Sequence, residues 1–239
     1  MEGYFLEEGR GKLQMKKEEA KTKDFLRKTA TVALGAVMLL TSAMPTFAAG
    51  DKVSFTDVPD NHFAKAAIEF CNPNIMQGKG DGKFDPDGKL TRAEAVQILY
   101  KVDGGFLKEA PAVFSDVKAG EWYSDALNYA VANKYCSGYP TGEFKPDGTL
   151  TYQEFAAMVA NRTKASYPAW AQKTDLFEGT PKCTKYSSWA KDGILLAEFM
   201  KITENPEKLD ATKPITRAQA AVFANKAATT QFKVLEPIK

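Results

Sequence analysis

Apolar residues recur at three- and four-residue spacing in three stretches of the chain, a pattern that predicts amphipathic helices. Loops rich in Gly, Asp and Pro precede two of these stretches, and such residues favour turns. The pattern therefore predicts an all-α protein. The periodic residues are Ala95, Ile98, Leu99 and Val102 in the first stretch, Phe155, Met158 and Val159 in the second, and Ala220, Phe223, Ala224 and Ala227 in the third.

Nearly the same pentapeptide stands at the start of each stretch. It reads LTRAE at residues 90–94, LTYQE at 150–154 and ITRAQ at 215–219. A threonine followed three residues later by Glu or Gln is a capping box, in which two side chains satisfy the free amides of a helix N-terminus. The sequence therefore predicts that three helices start with the pairs Thr91 and Glu94, Thr151 and Glu154, and Thr216 and Gln219.

Further matches extend each pentapeptide into a long repeat. Sixty residues separate Thr91 from Thr151, and 65 separate Thr151 from Thr216. An apolar residue stands seven positions before each threonine, and an aromatic residue (Phe63, Trp122 or Trp189) stands 20 to 22 positions before that. The aromatic residue predicts the start of a first helix, so each unit is helix–loop–helix.

Three such units divide the chain at residues 52–103, 112–163 and 172–228, with a tail at 229–239. One unit of this size cannot bury its own apolar faces. We therefore expect the three second helices to pack together as a central three-helix bundle.

The first 48 residues have the pattern of a secretory signal peptide. Lys23, Arg27 and Lys28 precede an apolar run at residues 29–43, and small residues surround Ala48, after which we expect cleavage. The alternative is a membrane anchor, but the run is shorter than the roughly 20 residues that a spanning helix needs. The pattern predicts a secreted, cell-surface or wall-associated protein without a transmembrane segment after cleavage.

Charge argues against nucleic acid as a partner. Residues 1–48 carry eight of the 32 basic and six of the 30 acidic residues, so 24 of each remain in the predicted mature chain. A neutral chain without a basic run lacks the electrostatic footprint of a nucleic-acid-binding protein. An anionic partner would have to be held by a few placed residues.

Cysteine usage leaves two readings open. An exported chain can form disulfides, but Cys71, Cys136 and Cys183 are an odd number and match no zinc spacing. Buried thiols are therefore as compatible with the sequence as one disulfide. No metal site and no cofactor are predicted.

The first two units also share their openings and loops. FTDV stands at residues 55–58 and FSDV at 114–117, and the loops read GDGKFDPDGKLT and PTGEFKPDGTLT. Together with the T-R-A-E pentapeptide, these motifs strongly resemble the S-layer homology family over residues 53–228. The third unit matches less well, because it lacks the glycine-rich loop and has an insertion around residues 178–185.

The resemblance implies a non-catalytic anchor. Family members form a pseudo-threefold, three-pronged spindle around a three-helix bundle. Their grooves bind secondary cell-wall polysaccharide, typically through pyruvylated N-acetylmannosamine. Some relatives contact modified peptidoglycan instead, so the partner is expected to be a wall polysaccharide or a peptidoglycan-linked polymer.

Within this resemblance, Arg92 and Arg217 are the residues tied to the anionic sugar. A guanidinium matches a carboxylate bidentately, and a helix N-terminus favours anions. The alternative is a solvated surface arginine that folding does not need. Tyr152 departs from the motif and cannot neutralise a carboxylate, so we expect its groove to be weak or inactive for that ligand.

Two glycines and two tryptophans are further candidates for ligand binding. Gly78 and Gly138 would let a sugar approach the backbone, or would serve turn geometry alone. Trp122 and Trp189 would stack on a sugar, or would pack in the core.

Other functions fit the sequence less well. Residues 83–94 resemble an EF-hand loop, but Lys83 occupies the first ligand position and a cation cannot bind Ca²⁺. An enzyme is disfavoured because the single histidine, His62, belongs to no catalytic motif. A surface-assembly protein that acts mainly through protein contacts, including self-association, stays open as the alternative.

Overall fold

The computed structural model describes residues 54–105, 109, 111–167 and 179–230, and these residues form helices. The first helices of the repeats are α1 (Lys65–Cys71), α3 (Ser124–Ala132) and α5 (Lys191–Phe199). The second helices are α2 (Arg92–Val102), α4 (Tyr152–Ser166) and α6 (Arg217–Thr229). Two 3₁₀ helices, Ser188–Ala190 and Pro206–Lys208, belong to the third repeat. Within the described ranges there is no β-strand, which confirms the all-α prediction.

All three predicted capping boxes are present. In α2, α4 and α6 the N-cap threonine accepts the amide of the third helical residue, and the Glu or Gln side chain accepts the threonine amide. Gln219 therefore caps α6 in the same way as Glu94 and Glu154 cap their helices. The six capping residues have the structural role that the sequence predicts.

A closed ring of backbone hydrogen bonds joins the three repeats just before these helices. The amide of Leu90 donates to Ile215 O over 3.3 Å, Ile215 donates to Leu150 O over 3.0 Å, and Leu150 donates to Leu90 O over 3.0 Å. All three side chains are fully buried. The ring relates the repeats cyclically, whereas the spindle outline implied by the resemblance stays a prediction.

Each first helix packs against the second helix of a different repeat. α3 packs on α2, α5 packs on α4, and α1 closes the circle by packing on α6 near the end of the described chain. The helices α2, α4 and α6 also contact one another, as expected for a central bundle. The repeats are thus intertwined, because none of them supplies both helices of one packed pair.

The aspartates of the two FxDV openings hold the loops that lead to α2 and α4. Asp57 accepts the amides of Phe84 and Asp85 at 2.9 and 2.8 Å, and Asp116 accepts those of Phe144 and Lys145 at 2.8 and 2.7 Å. Desolvation opposes the ionisation of both carboxylates, but these amide bonds outweigh it and lower the pKa of both. Asp85 has a φ of 61° and its carbonyl accepts Gly88 N, so it is a turn former.

An ion pair joins the repeats at the opposite end of the bundle. Arg162 Nη2 lies 2.6 Å from Asp103 Oδ1, and Arg162 Nη1 donates to Ala227 O over 3.2 Å. Tyr135 Oη donates to the other oxygen of Asp103 over 2.8 Å. One half-buried carboxylate therefore connects α2 to α4, and one guanidinium connects α4 to α6.

The three cysteines are free thiols in the structure. Cys71, Cys136 and Cys183 are free; the first and last are buried and Cys136 is half-buried. The predicted signal peptide at 1–48 and residues 231–239 of the tail lie outside the described residues, and the repeat boundaries stay predictions. No helix among the described residues has the length and apolar character needed to span a bilayer.

The circular packing predicts that the third repeat is needed to fold the first. A chain ending at Tyr167 loses α6, so α1 has no packing partner and Leu90 N has no acceptor. We expect it to lose more than about 5 kcal/mol of unfolding free energy, the lower end of a typical domain's stability. Urea unfolding followed by circular dichroism would measure this against a chain ending at Thr230. Equal midpoints for the two chains would contradict the circular arrangement.

Candidate functional site

Three grooves lie where the repeats meet, and each is lined by residues of all three repeats. One repeat supplies the first residue of its second helix, the next supplies a loop and the capping Glu or Gln, and the third supplies an aromatic side chain. Groove one has a volume of about 260 Å³ and contains Arg217, Gly78, Glu94 and Trp122. Groove two has about 390 Å³ and contains Arg92, Ser137, Glu154 and Trp189. Groove three has about 540 Å³ and contains Tyr152, Asn205, Gln219 and Phe63.

Arg92 reaches from α2 into the loop of the second repeat. Its Nε donates to Phe144 O over 2.7 Å, and its Nη2 donates to Ser137 O over 3.1 Å. The guanidinium carbon lies 4.7 Å from the centre of the Phe144 ring and 4.9 Å from that of Tyr139. The residue is only 9% exposed. Within the described residues, Nη1 has no hydrogen-bond partner and the guanidinium forms no ion pair, although Glu154 lines the same groove.

Arg217 makes the equivalent contacts from α6 into the loop of the first repeat. Its Nε donates to Phe84 O over 3.1 Å, its Nη2 donates to Gln77 O over 2.7 Å, and the guanidinium stacks 4.7 Å from the Phe84 ring centre. The residue is 5% exposed, and its Nη1 lies 3.6 Å from Glu94 Oε1. Burial lowers the pKa of Arg217 despite the neighbouring carboxylates, but arginine stays charged at any physiological pH.

These contacts exclude the alternative of a solvated surface arginine at positions 92 and 217. A solvated arginine would be exposed, whereas both guanidinium groups are buried against another repeat and donate to its backbone. A buried carbonyl needs a donor, and Arg92 and Arg217 supply two donors each. The edge formed by Nε and Nη2 is therefore occupied by protein, and only the edge that includes Nη1 remains for a ligand.

The first amides of the second helices are not available to an anion, contrary to the expectation from sequence. The amides of Arg92 and Ala93 donate to Gly148 O and Pro146 O, both over 2.9 Å, and the third amide, that of Glu94, donates to the capping Thr91. The equivalent amides of α4 and α6 are occupied in the same way. An anion in groove one or two can thus contact the arginine, but it cannot bind these backbone amides because they already have acceptors.

Tyr152 occupies the position of the arginines in groove three. It is 2% exposed, and its ring lies 5.2 Å from the ring of Phe223. Its hydroxyl is buried and has no hydrogen-bond partner in the described structure. Desolvation, with a smaller contribution from Cys183 and Glu198, raises the pKa of this phenol well above its usual value, so it stays neutral. The sequence prediction did not include Lys201 and Lys226, which bring positive charge to this groove.

The aromatic residues that start the first helices are exposed. Trp122 is 62% exposed, Trp189 is 58% and Phe63 is 67%. Core packing is therefore wrong for both tryptophans, and each stands in a groove with a free face. Phe63 was not predicted as a groove residue, although its alignment with Trp122 and Trp189 was the signal that could have identified it.

The two glycines are explained by packing. A Cβ at Gly78 would lie 2.6 Å from the Phe55 ring and 2.7 Å from Lys83 O, and one at Gly138 would lie 2.3 Å from the Phe114 ring and 2.8 Å from Glu143 O. Gly78 lines groove one, whereas groove two is bordered by Ser137 and, among described residues, does not include Gly138. Close approach within the protein, rather than a left-handed turn, is why each position needs glycine.

Comparison with known proteins agrees with this architecture. A family model described as S-layer homology domain matches residues 54–96 and 113–156. The third repeat has the same capping box, the same place in the hydrogen-bonded ring and an equivalent groove. It is thus a third copy by structure, although the family model matches the first two.

Several curated proteins are similar to most of this chain. An exoglucanase named XynX from Acetivibrio thermocellus is 29% identical over 77% of this chain and 17% of its own length. A cellulosome-anchoring protein from the same species is 28% identical over 67% of this chain and 36% of its own length. A surface-layer 125 kDa protein from Lysinibacillus sphaericus is 28% identical over 86% of this chain and 17% of its own length.

The chain therefore spans between 17% and 36% of the length of these relatives. The printed names of these relatives range from an exoglucanase to a surface-layer protein. The first two repeats match the S-layer homology domain, at residues 54–96 and 113–156.

Proposed function

We propose that the described repeats form a non-catalytic, extracellular module that anchors the chain to the bacterial cell wall. The ligand is an anionic glycan of the wall, with pyruvylated N-acetylmannosamine as its binding unit. The observation that carries the proposal is the pairing, in two equivalent grooves, of an arginine with an exposed tryptophan. A pyruvylated sugar offers a carboxylate for the first and an apolar ring face for the second.

The geometry favours such a ligand for a physical reason. Two protein carbonyls and at least one aromatic ring fix each guanidinium, so little side-chain entropy is lost when the ligand binds. The indole faces of Trp122 and Trp189 are already exposed, so a sugar can stack without a rearrangement of the core. The printed names of the relatives, which include a cellulosome-anchoring protein, are consistent with attachment to the cell surface.

Groove three has a different composition and is not equivalent for this ligand. Its lysines sit on flexible stems and present point charges, whereas the arginines of the other grooves present a fixed planar group. The buried hydroxyl of Tyr152 cannot neutralise a carboxylate. We therefore propose that grooves one and two bind the pyruvylated unit and that groove three contributes little.

Removal of both arginine charges should release the protein from the wall. The double variant Arg92→Ala and Arg217→Ala loses charge-assisted hydrogen bonds, each worth about 1.5–3 kcal/mol, so co-sedimentation with purified sacculi should weaken at least tenfold. A matched control, Lys83→Ala with Lys208→Ala, removes the same charge from exposed positions outside the grooves and should sediment like the wild type.

The arginines also support the fold, so the ligand should be altered in parallel. Mild acid cleaves the pyruvate ketal from the sacculi, and released pyruvate measures the extent of cleavage. Wild-type protein should lose binding to these sacculi to a similar degree. Unchanged binding to depyruvylated walls would refute the ligand, and binding that is lost only when peptidoglycan is digested would favour modified peptidoglycan. A wild-type protein that sediments with neither preparation would refute anchoring and favour a protein partner.

Restoration of the arginine in the middle repeat should open a third site. Tyr152→Arg places a guanidinium near Leu209 O, the counterpart of the acceptors Phe84 O and Phe144 O, and should strengthen binding of the pyruvylated glycan about tenfold in groove three. Tyr152→Phe is the matched control, because it removes only the unpartnered hydroxyl and should leave binding unchanged. Titration calorimetry would measure both variants. A folded Tyr152→Arg protein that binds no more ligand than wild type would show that the groove is closed for another reason.

A further inference from the structure

The two carboxylate oxygens of Glu94 make different contacts in groove one. Its Oε2 accepts the amide of Thr91 over 3.0 Å, which completes the helix cap. Its Oε1 accepts Lys79 Nζ over 2.7 Å and lies 3.6 Å from Arg217 Nη1. The second oxygen therefore stands at the only guanidinium edge that the backbone of the first repeat leaves open.

Groove two lacks this arrangement although its residues are otherwise equivalent. The Oε2 atom of Glu154 accepts both the amide and the hydroxyl of Thr151, at 2.7 and 2.8 Å. Among the described residues neither Glu154 nor Arg92 forms an ion pair, although both line the groove.

One substitution between the repeats accounts for the difference. The amide of Lys79 pairs with Lys83 O, and the amide of Tyr139 pairs with Glu143 O, each over 2.8 Å, so the two residues hold the same position. In groove one the lysine draws Glu94 toward the arginine. In groove two the ring of Tyr139 instead lies against the guanidinium of Arg92.

We infer that Glu94 is a built-in competitor for the ligand's carboxylate in groove one, so that groove two is the tighter of the two sites. This inference rests on the proposed function, since it concerns the same ligand. A bound carboxylate has to displace Glu94 from Arg217 or lie beside a like charge, and either costs binding energy. Groove two imposes no such cost at Arg92.

The competitor stays charged under physiological conditions. Burial opposes the ionisation of Glu94, but the hydrogen bonds from Lys79 and from the Thr91 amide outweigh it and lower its pKa. A fall in pH toward 5 therefore does not relieve the competition. A change of residue is needed to test it.

Glu94→Gln removes the charge and keeps the cap. The third repeat shows that this is possible, because Gln219 makes both capping bonds, at 3.0 and 3.2 Å. Glu154→Gln in groove two is the matched control, with the same chemical change at an acid that forms no ion pair among the described residues. Thermal unfolding of both variants would verify that the caps are intact.

Each groove carries its own reporter, Trp122 in groove one and Trp189 in groove two. The indole N–H signals, assigned with Trp→Phe variants, are followed by NMR while the methyl glycoside of pyruvylated N-acetylmannosamine is added. In wild type we expect Trp189 to titrate at lower concentration than Trp122. In Glu94→Gln the Trp122 midpoint should fall about three- to tenfold, in the range expected for one half-buried charge pair, with the Trp189 midpoint unchanged.

The outcomes separate the two proposals. If both indoles titrate but Glu94→Gln leaves the Trp122 midpoint in place, or if Glu154→Gln lowers the Trp189 midpoint equally, the competitor role is wrong and the glycan function stands. If neither indole responds in any folded variant, the pyruvylated sugar is not the ligand and both proposals fail.

Discussion

The first amides of a helix have no partner inside it, and in this protein the first two amides of each second helix donate to a loop of another repeat. Arg92 N and Ala93 N reach the second repeat, Tyr152 N and Gln153 N reach the third, and Arg217 N and Ala218 N reach the first. The capping threonine satisfies the third amide in each case. This shared constraint fixes the ring of repeats, the positions of the loops and the three grooves between them.

The arginine at the first helical position extends the same link by a side chain. Its Nε and Nη2 atoms hold carbonyls of the neighbouring loop, and this leaves the Nη1 edge facing the groove. Folding and the proposed binding thus use opposite edges of one guanidinium. Tyr152 is also buried but lacks the charge and these side-chain hydrogen bonds, and its ring packs on Phe223 instead. The middle repeat therefore keeps the backbone link to the next loop while its groove changes in chemistry.

Local features of the fold could be predicted from sequence, because their partners lie within a few residues. The capping boxes at Thr91, Thr151 and Thr216 are examples, and so is the all-α class. The burial of Arg217 could not be predicted, since its acceptor Phe84 O lies 133 positions away. The same holds for the packing of α1 on α6. The exposure of Trp122 and Trp189 could not be predicted either, because it depends on which repeats line each groove.

Grooves one and two differ at a few equivalent positions, and these differences change the contacts that line each groove. Lys79 bonds to the capping Glu94 beside Arg217, whereas the equivalent Tyr139 lies against Arg92. Gly78 is needed because Phe55 leaves no room for a Cβ. Neither effect is visible in the motif itself. They appear only when each groove is built from all three repeats.

Calorimetric titration of the wild-type protein with the pyruvylated monosaccharide tests the central claim most directly, because it counts sites. Because Glu94 already lies against Arg217 in groove one, we expect two sites per chain, with the weaker affinity in groove one. Three equal sites, or a stoichiometry of zero with folded protein, would contradict the account.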